Sequence, residues 1–155
     1  MEERSDNYVK LILSFIEDIR VIFIVLSVRV QQMRDGNELE EEERFHLGVE
    51  TLFLYAPLAH RMGLYNIKSE LEDLSLKYTD REAYDYVARK LNETKRSRDK
   101  YIEEFLKPVT QRLDQTGLKC DIKGRTKSIY SILNKLKKQQ IEFESIYDIF
   151  AIRVI

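Results

Sequence analysis

The sequence predicts a mainly α fold: a helical bundle, then a long connecting helix, then the start of an α/β unit. Three observations carry that prediction. Apolar residues recur at three- and four-residue steps up to about residue 116. Only five glycines and two prolines stand in 155 residues, so long helices meet few breakers. After Leu118 the pattern shifts to short, β-prone apolar runs around one further helical stretch.

The first helix is expected over about residues 8–34, with Leu11, Ile12, Phe15, Ile16, Ile19, Ile22 and Phe23 on its apolar stripe. Between Val21 and Val28 the apolar character extends all round, which predicts burial on more than one side. Asp35, Gly36 and Asn37 predict a turn, and the acidic run at residues 40–43 a solvated start to the next helix. That helix is expected over about residues 39–62, interrupted near Pro57 and closed by Gly63. A third follows over about residues 66–78, after which Thr79 or Asp80 caps a fourth. The fourth is expected as one long helix over about residues 81–116, bent at Pro108 and ended by Gly117. Beyond it, "LKCDIK" predicts a strand, about residues 126–139 a helix, and "DIFAIRVI" a second strand.

Composition narrows the function classes. Twenty-six basic residues nearly cancel 27 acidic ones, so net charge predicts neither a nucleic-acid nor a membrane partner. Cys120 is the single cysteine, which excludes an intrachain disulfide and a cysteine-built metal site. The longest apolar run, "VIFIVLSV", is too short to span a bilayer, and no export signal is apparent; the expectation is a soluble, reduced, cytoplasmic protein. His46 and His60 are the only histidines, with no His-Asp pair, which argues against a metal site built from them. In "YAPLAHRMG", Tyr55, Leu58 and Met62 fit a helix's core face, and His60 and Arg61 fit supporting contacts.

The chemistry concentrates in "GRTKSIYSILNK". Lys127, Ser131 and Lys135 stand at i, i+4 and i+8, the spacing of one helix face, and Arg125 precedes them beside Gly124. Helix-start N–H groups with Arg and Lys donors suit a polyphosphate. The same pattern also describes an ordinary solvated basic helix. Asp148, at the start of "IFAIRVI", is placed either to hold Mg²⁺ beside such phosphates or to cap the preceding turn.

The blocks "YAPLAHRMGLYNIKSELEDLSLKY", "RDKYIEEFL", "GRTKSIYSILNKL" and "IYDIFAIRVI" stand in the order found in the long RelA/SpoT-homologue proteins, and the chain resembles their middle from about residue 8 to residue 155. Those proteins make, and often also degrade, the alarmone (p)ppGpp of the stringent response. The resemblance implies that residues 1–78 are the rear of an HD-type hydrolase domain and residues 79–117 a connecting helix. Residues 118–155 would then start a nucleotidyltransferase-like synthetase domain. It implies that Arg125, Lys127, Ser131 and Lys135 face the phosphates of ATP and that Asp148 ligates Mg²⁺. The implied reaction moves the β,γ-pyrophosphoryl group of ATP onto the 3′-OH of GTP or GDP, with charge neutralisation as its main device. The family's base-stacking tyrosine and catalytic carboxylate lie further on, so no catalytic residue is expected within this chain, and alone it is expected to be inactive.

Active members read roughly L-A-D-R-L-H-N-M-R where this chain reads "LSVRVQQMR". The metal-binding Asp falls on Val28 and the nucleotide-site Asn on Gln32, so the resemblance implies a degenerate hydrolase domain. The alternative is a helical regulatory module that couples the two domains without catalysis. An RNA-binding helical domain is disfavoured by the balanced charge. The apolar final strand leaves an edge that a homodimer would cover.

Overall fold

The computed structural model describes residues 18–116 and 122–154. It divides into two compact units, Met1–Tyr84 and Asp85–Ile155. The expected helix over residues 8–17, the strand residues 118–121, Gly117 and Cys120 lie outside the described residues.

In the first unit, helix α1 spans Arg20–Asp35. Just ahead of it the Asp18 carboxylate accepts from the Arg20 backbone N–H at 2.9 Å and is gripped by the Arg20 guanidinium, while Ile19 stands at the N-cap without a side-chain cap. Its inner face is Ile22, Leu26, Val30 and Met33, all buried at helical spacing. Burial on more than one side does not hold among the described residues: Val21, Phe23, Ile24, Val25 and Val28 are exposed, because a single face of the helix meets the core.

Gly36 closes α1 and opens a 3₁₀ turn, Gly36–Glu38. A Cβ on Gly36 would stand 2.9 Å from the Tyr78 ring, so any larger residue has to displace that ring. Tyr78 reaches that place to donate its hydroxyl to the Met33 carbonyl at 2.5 Å.

Helix α2 (Glu41–Glu50) starts on the exposed acidic run, with Glu41, Glu42 and Glu43 in its first turn. The expected interruption takes the form of a π-helical turn, Thr51–Tyr55, followed by α3 (Ala56–Arg61) with Pro57 in its first turn. A proline deprives the carbonyl four residues earlier of its N–H and crowds it, and the widened turn just ahead of Pro57, where Ala56 N–H reaches the Thr51 carbonyl, absorbs the mismatch. Gly63 then turns the chain at φ +72°.

Helix α4 (Tyr65–Thr79) contacts α1, α2 and α3 and is the centre of the unit. Leu71 and Tyr78 join Ile22, Leu26, Val30, Met33, Ala56, Leu58 and Ala59 in one core, against which Tyr55 and Met62 pack. Burying each large apolar side chain is worth about 1.5–3 kcal/mol. Arg29 is buried among these helices, with its guanidinium 3.9 Å over the Tyr55 ring and Nη2 2.9 Å from Glu50. His60 is exposed and meets Tyr65 edge-on at 5.6 Å.

Asp80 caps helix α5 (Arg81–Glu93), its Oδ1 accepting from Ala83 N–H at 3.1 Å; Thr79 belongs to α4 instead. The single long helix expected from residue 81 is two helices. α5 stops at Glu93, and α6 (Lys95–Gln115) follows after Thr94. The Thr94 hydroxyl donates back to the Lys90 carbonyl at 2.9 Å, the local competition by which a threonine loosens a helix. Pro108 lies inside α6.

In the second unit, β1 (Ile122–Thr126) pairs antiparallel with β2 (Phe150–Val154), Gly124 opposite Ile152 and Thr126 opposite Phe150. Between them lies α7 (Ile129–Gln139), whose Ile132, Leu133 and Leu136 are buried. A 3₁₀ turn, Phe143–Ser145, leads toward β2, and Lys90 on α5 holds its Glu144 at 2.6 Å. Phe150 meets Tyr101 of α6 edge-on at 5.9 Å.

Candidate polyphosphate site

The site is built at the ends of β1 and β2. The strand pairing continues one step past Thr126, where Lys127 N–H donates to the Ile149 carbonyl at 2.8 Å. That bond sets Lys127 beside residue 148. Ser128 then turns the chain into α7: its hydroxyl accepts from Ser131 N–H at 3.3 Å and donates to Ser131 Oγ at 2.7 Å. About one turn on from Ser131, Lys135 faces the same point. Lys127 Nζ pairs with Oδ2 of Asp148 and Lys135 Nζ with Oδ1, so each carboxylate oxygen has its own ammonium.

The electrostatics follow from that geometry. Hydrogen bonds from Lys127 and then Lys135 hold the Asp148 carboxyl down to about 2, well below the usual carboxylate range. It is therefore ionised at any ordinary pH. The Asp148 side chain is 51% exposed, Lys127 39% and Lys135 28%, so all three are reachable from solvent.

Two placements differ from those the spacing suggests. α7 starts at Ile129, not near Thr126, so Lys127 lies in the link before the helix and not on a shared helical face. It reaches the site through the strand pairing, while Ser131 and Lys135 do share α7. Arg125 belongs to β1, opposite Ala151, and is not at a helix start. Ser128 escaped the motif reading, although a serine just ahead of an apolar helical stretch is an N-cap signal.

Val28 and Gln32 both lie on α1 and both are exposed. Val28 offers no lone pair to a metal. Among the described residues no group of three or more His, Cys, Asp or Glu side chains is placed to hold a metal ion, and no helix is long and apolar enough to cross a membrane.

Comparison with known proteins gives two family matches: the HD domain over residues 1–65, and the region found in RelA / SpoT proteins over residues 124–155. A GTP pyrophosphokinase of Myxococcus xanthus is 42% identical over 99% of this chain, which covers 20% of that protein. A guanosine-3′,5′-bis(diphosphate) 3′-pyrophosphohydrolase of Aquifex aeolicus is 38% identical over 99% of the chain, covering 22% of its own length. The bifunctional (p)ppGpp synthase/hydrolase SpoT of Escherichia coli is 36% identical, with the same shares. The chain thus spans about a fifth of the length of these relatives. Along essentially its whole length the chain is similar to one stretch of these RelA/SpoT proteins, and it matches the HD-domain model near its start and the RelA / SpoT region near its end.

Proposed function

We propose that this chain is part of a (p)ppGpp synthetase, a GTP pyrophosphokinase, and carries the edge of its active site that takes the phosphates of ATP. The observation that carries this reading is the convergence of Lys127 and Lys135 on Asp148 at the end of the β1–β2 pair. Two ammoniums at one point, with Ser131 on the helix that carries Lys135, are the donors a polyphosphate needs. The assigned roles are phosphate binding for Arg125, Lys127, Ser131 and Lys135, and a share in Mg²⁺ binding for Asp148.

The donor set suits an ion that arrives shared with phosphate. Mg²⁺ is commonly held by one or two carboxylates together with phosphate oxygens and water, and Asp148 supplies one ionised, accessible carboxylate. When bound, the ion neutralises charge on the transferring pyrophosphoryl group. The chain's own residues orient the phosphates and offset their charge, which is most of what a protein contributes to phosphoryl transfer. The acceptor is the 3′-OH of GTP or GDP.

For the first unit we propose a degenerate hydrolase role, since Val28 and Gln32 stand where the resemblance to active members implies a metal-binding Asp and a nucleotide-site Asn. The hydrolase names among the relatives keep the opposite assignment in view. Assaying the full-length protein for both reactions separates them. The expected result is pyrophosphoryl transfer from ATP to GTP or GDP, without metal-dependent release of pyrophosphate from ppGpp. Hydrolysis without synthesis would overturn the reading.

A further inference from the structure

The two lysines assigned to phosphate are both engaged by the carboxylate assigned to the cation. The site without ligands is therefore self-neutralised, and the cost of opening it depends on what arrives. A free polyphosphate has to displace Asp148 from two ammoniums and then lie against a carboxylate that has lost both partners, so its own gain is offset by like-charge repulsion. A free divalent cation meets the mirror problem, since it must approach Asp148 past two ammoniums. A polyphosphate already complexed with a divalent cation meets neither. The carboxylate exchanges ammonium for metal, the ammoniums exchange carboxylate for phosphate oxygens, and no charge is left unpaired.

Resting on the proposed phosphate site, we infer that Asp148 is its specificity-determining residue: a built-in competitor anion that makes the site take metal-complexed polyphosphate and resist the free anion. Metal and polyphosphate then bind with positive coupling, and the coupling is carried by the two ion pairs. The half-exposed position of Asp148 lets the exchange proceed without unfolding either strand end.

The test is calorimetric binding of inorganic tripolyphosphate to the full-length protein at fixed ionic strength, once in EDTA and once with excess Mg²⁺. Wild type, Asp148→Asn, Asp148→Ala and Lys135→Ala are compared. Wild type should bind about tenfold or more tightly with Mg²⁺ than without, within the usual range of coupling between sites. Both Asp148 variants should bind the metal-free anion about fivefold or more tightly than wild type, and their gain from Mg²⁺ should shrink toward one. Lys135→Ala should weaken binding in both conditions. If the Asp148 variants bind the metal-free anion no better than wild type while Lys135→Ala still weakens it, the competitor role is overturned and the phosphate site stands. If no protein in the set binds tripolyphosphate, the phosphate site itself fails and the competitor role with it.

Discussion

Lys135, in the middle of α7, donates to Oδ1 of Asp148, two residues ahead of β2. This contact joins the helix to the approach to β2, and Lys127 completes it from the link between β1 and α7. Exposed ion pairs contribute little to stability.

Ser128 provides the contrast. It touches no proposed ligand, but it caps α7, the helix that carries Ser131 and Lys135. Ser128→Ala should cost about 1 kcal/mol in urea unfolding of the protein, the usual cost of losing a serine N-cap. Polyphosphate affinity should fall less than in Lys135→Ala. An unchanged unfolding midpoint would show that the cap does not hold the helix start.

The packing of Tyr78 against Gly36 is tight enough to be tested by a single methyl. Gly36→Ala drives a Cβ to 2.9 Å from the ring and should destabilise the first unit by about 1–3 kcal/mol. Tyr78→Phe removes the donor to the Met33 carbonyl and should cost about 1–2 kcal/mol. Combining them should cost less than the sum, since both disturb one contact. Thermal melts of the four proteins would check this, and strict additivity would contradict it.

Glu72 on α4 is buried, and burial pushes its carboxyl up from the ordinary value despite Lys68 at 2.7 Å. A raised carboxyl pKa means the folded state holds the proton more tightly than the unfolded one. Stability from this group is present at low pH and is lost as pH rises through the folded pKa. Glu72→Gln should therefore raise the melting temperature at pH 7 by about 2 °C, and the gain should shrink on approach to pH 4.5. A variant that melts lower than wild type at pH 7 would show that the pair with Lys68 outweighs burial.

Much of the helical order was legible because it is local. Helix α4 and the left-handed turn at Gly63 follow from spacing and turn chemistry that act within a few residues. The chemistry of Lys127, Lys135 and Asp148 was legible as residue types, but its geometry was not. Spacing suggests a helix face for Lys127, whereas it reaches Asp148 through a backbone bond to Ile149, more than twenty residues away. Pairing of that kind leaves no periodic trace. The break at Thr94 was hidden for another reason: a back-bonding hydroxyl interrupts a helix without disturbing its apolar pattern. The outward apolar residues of α1 show the same limit, since composition marks what is apolar but not which side is covered.

The proposed function turns on Lys135 gripping the phosphates of ATP for pyrophosphoryl transfer. The most direct measurement is the rate of transfer from ATP to GTP by the full-length protein carrying Lys135→Ala. Because the lysine's ion pair contributes little to the fold, the melting temperature should stay near that of wild type. The rate should fall by about a hundredfold or more, as for loss of a main charge-stabilising donor. A folded Lys135→Ala protein that transfers at the wild-type rate would contradict the account.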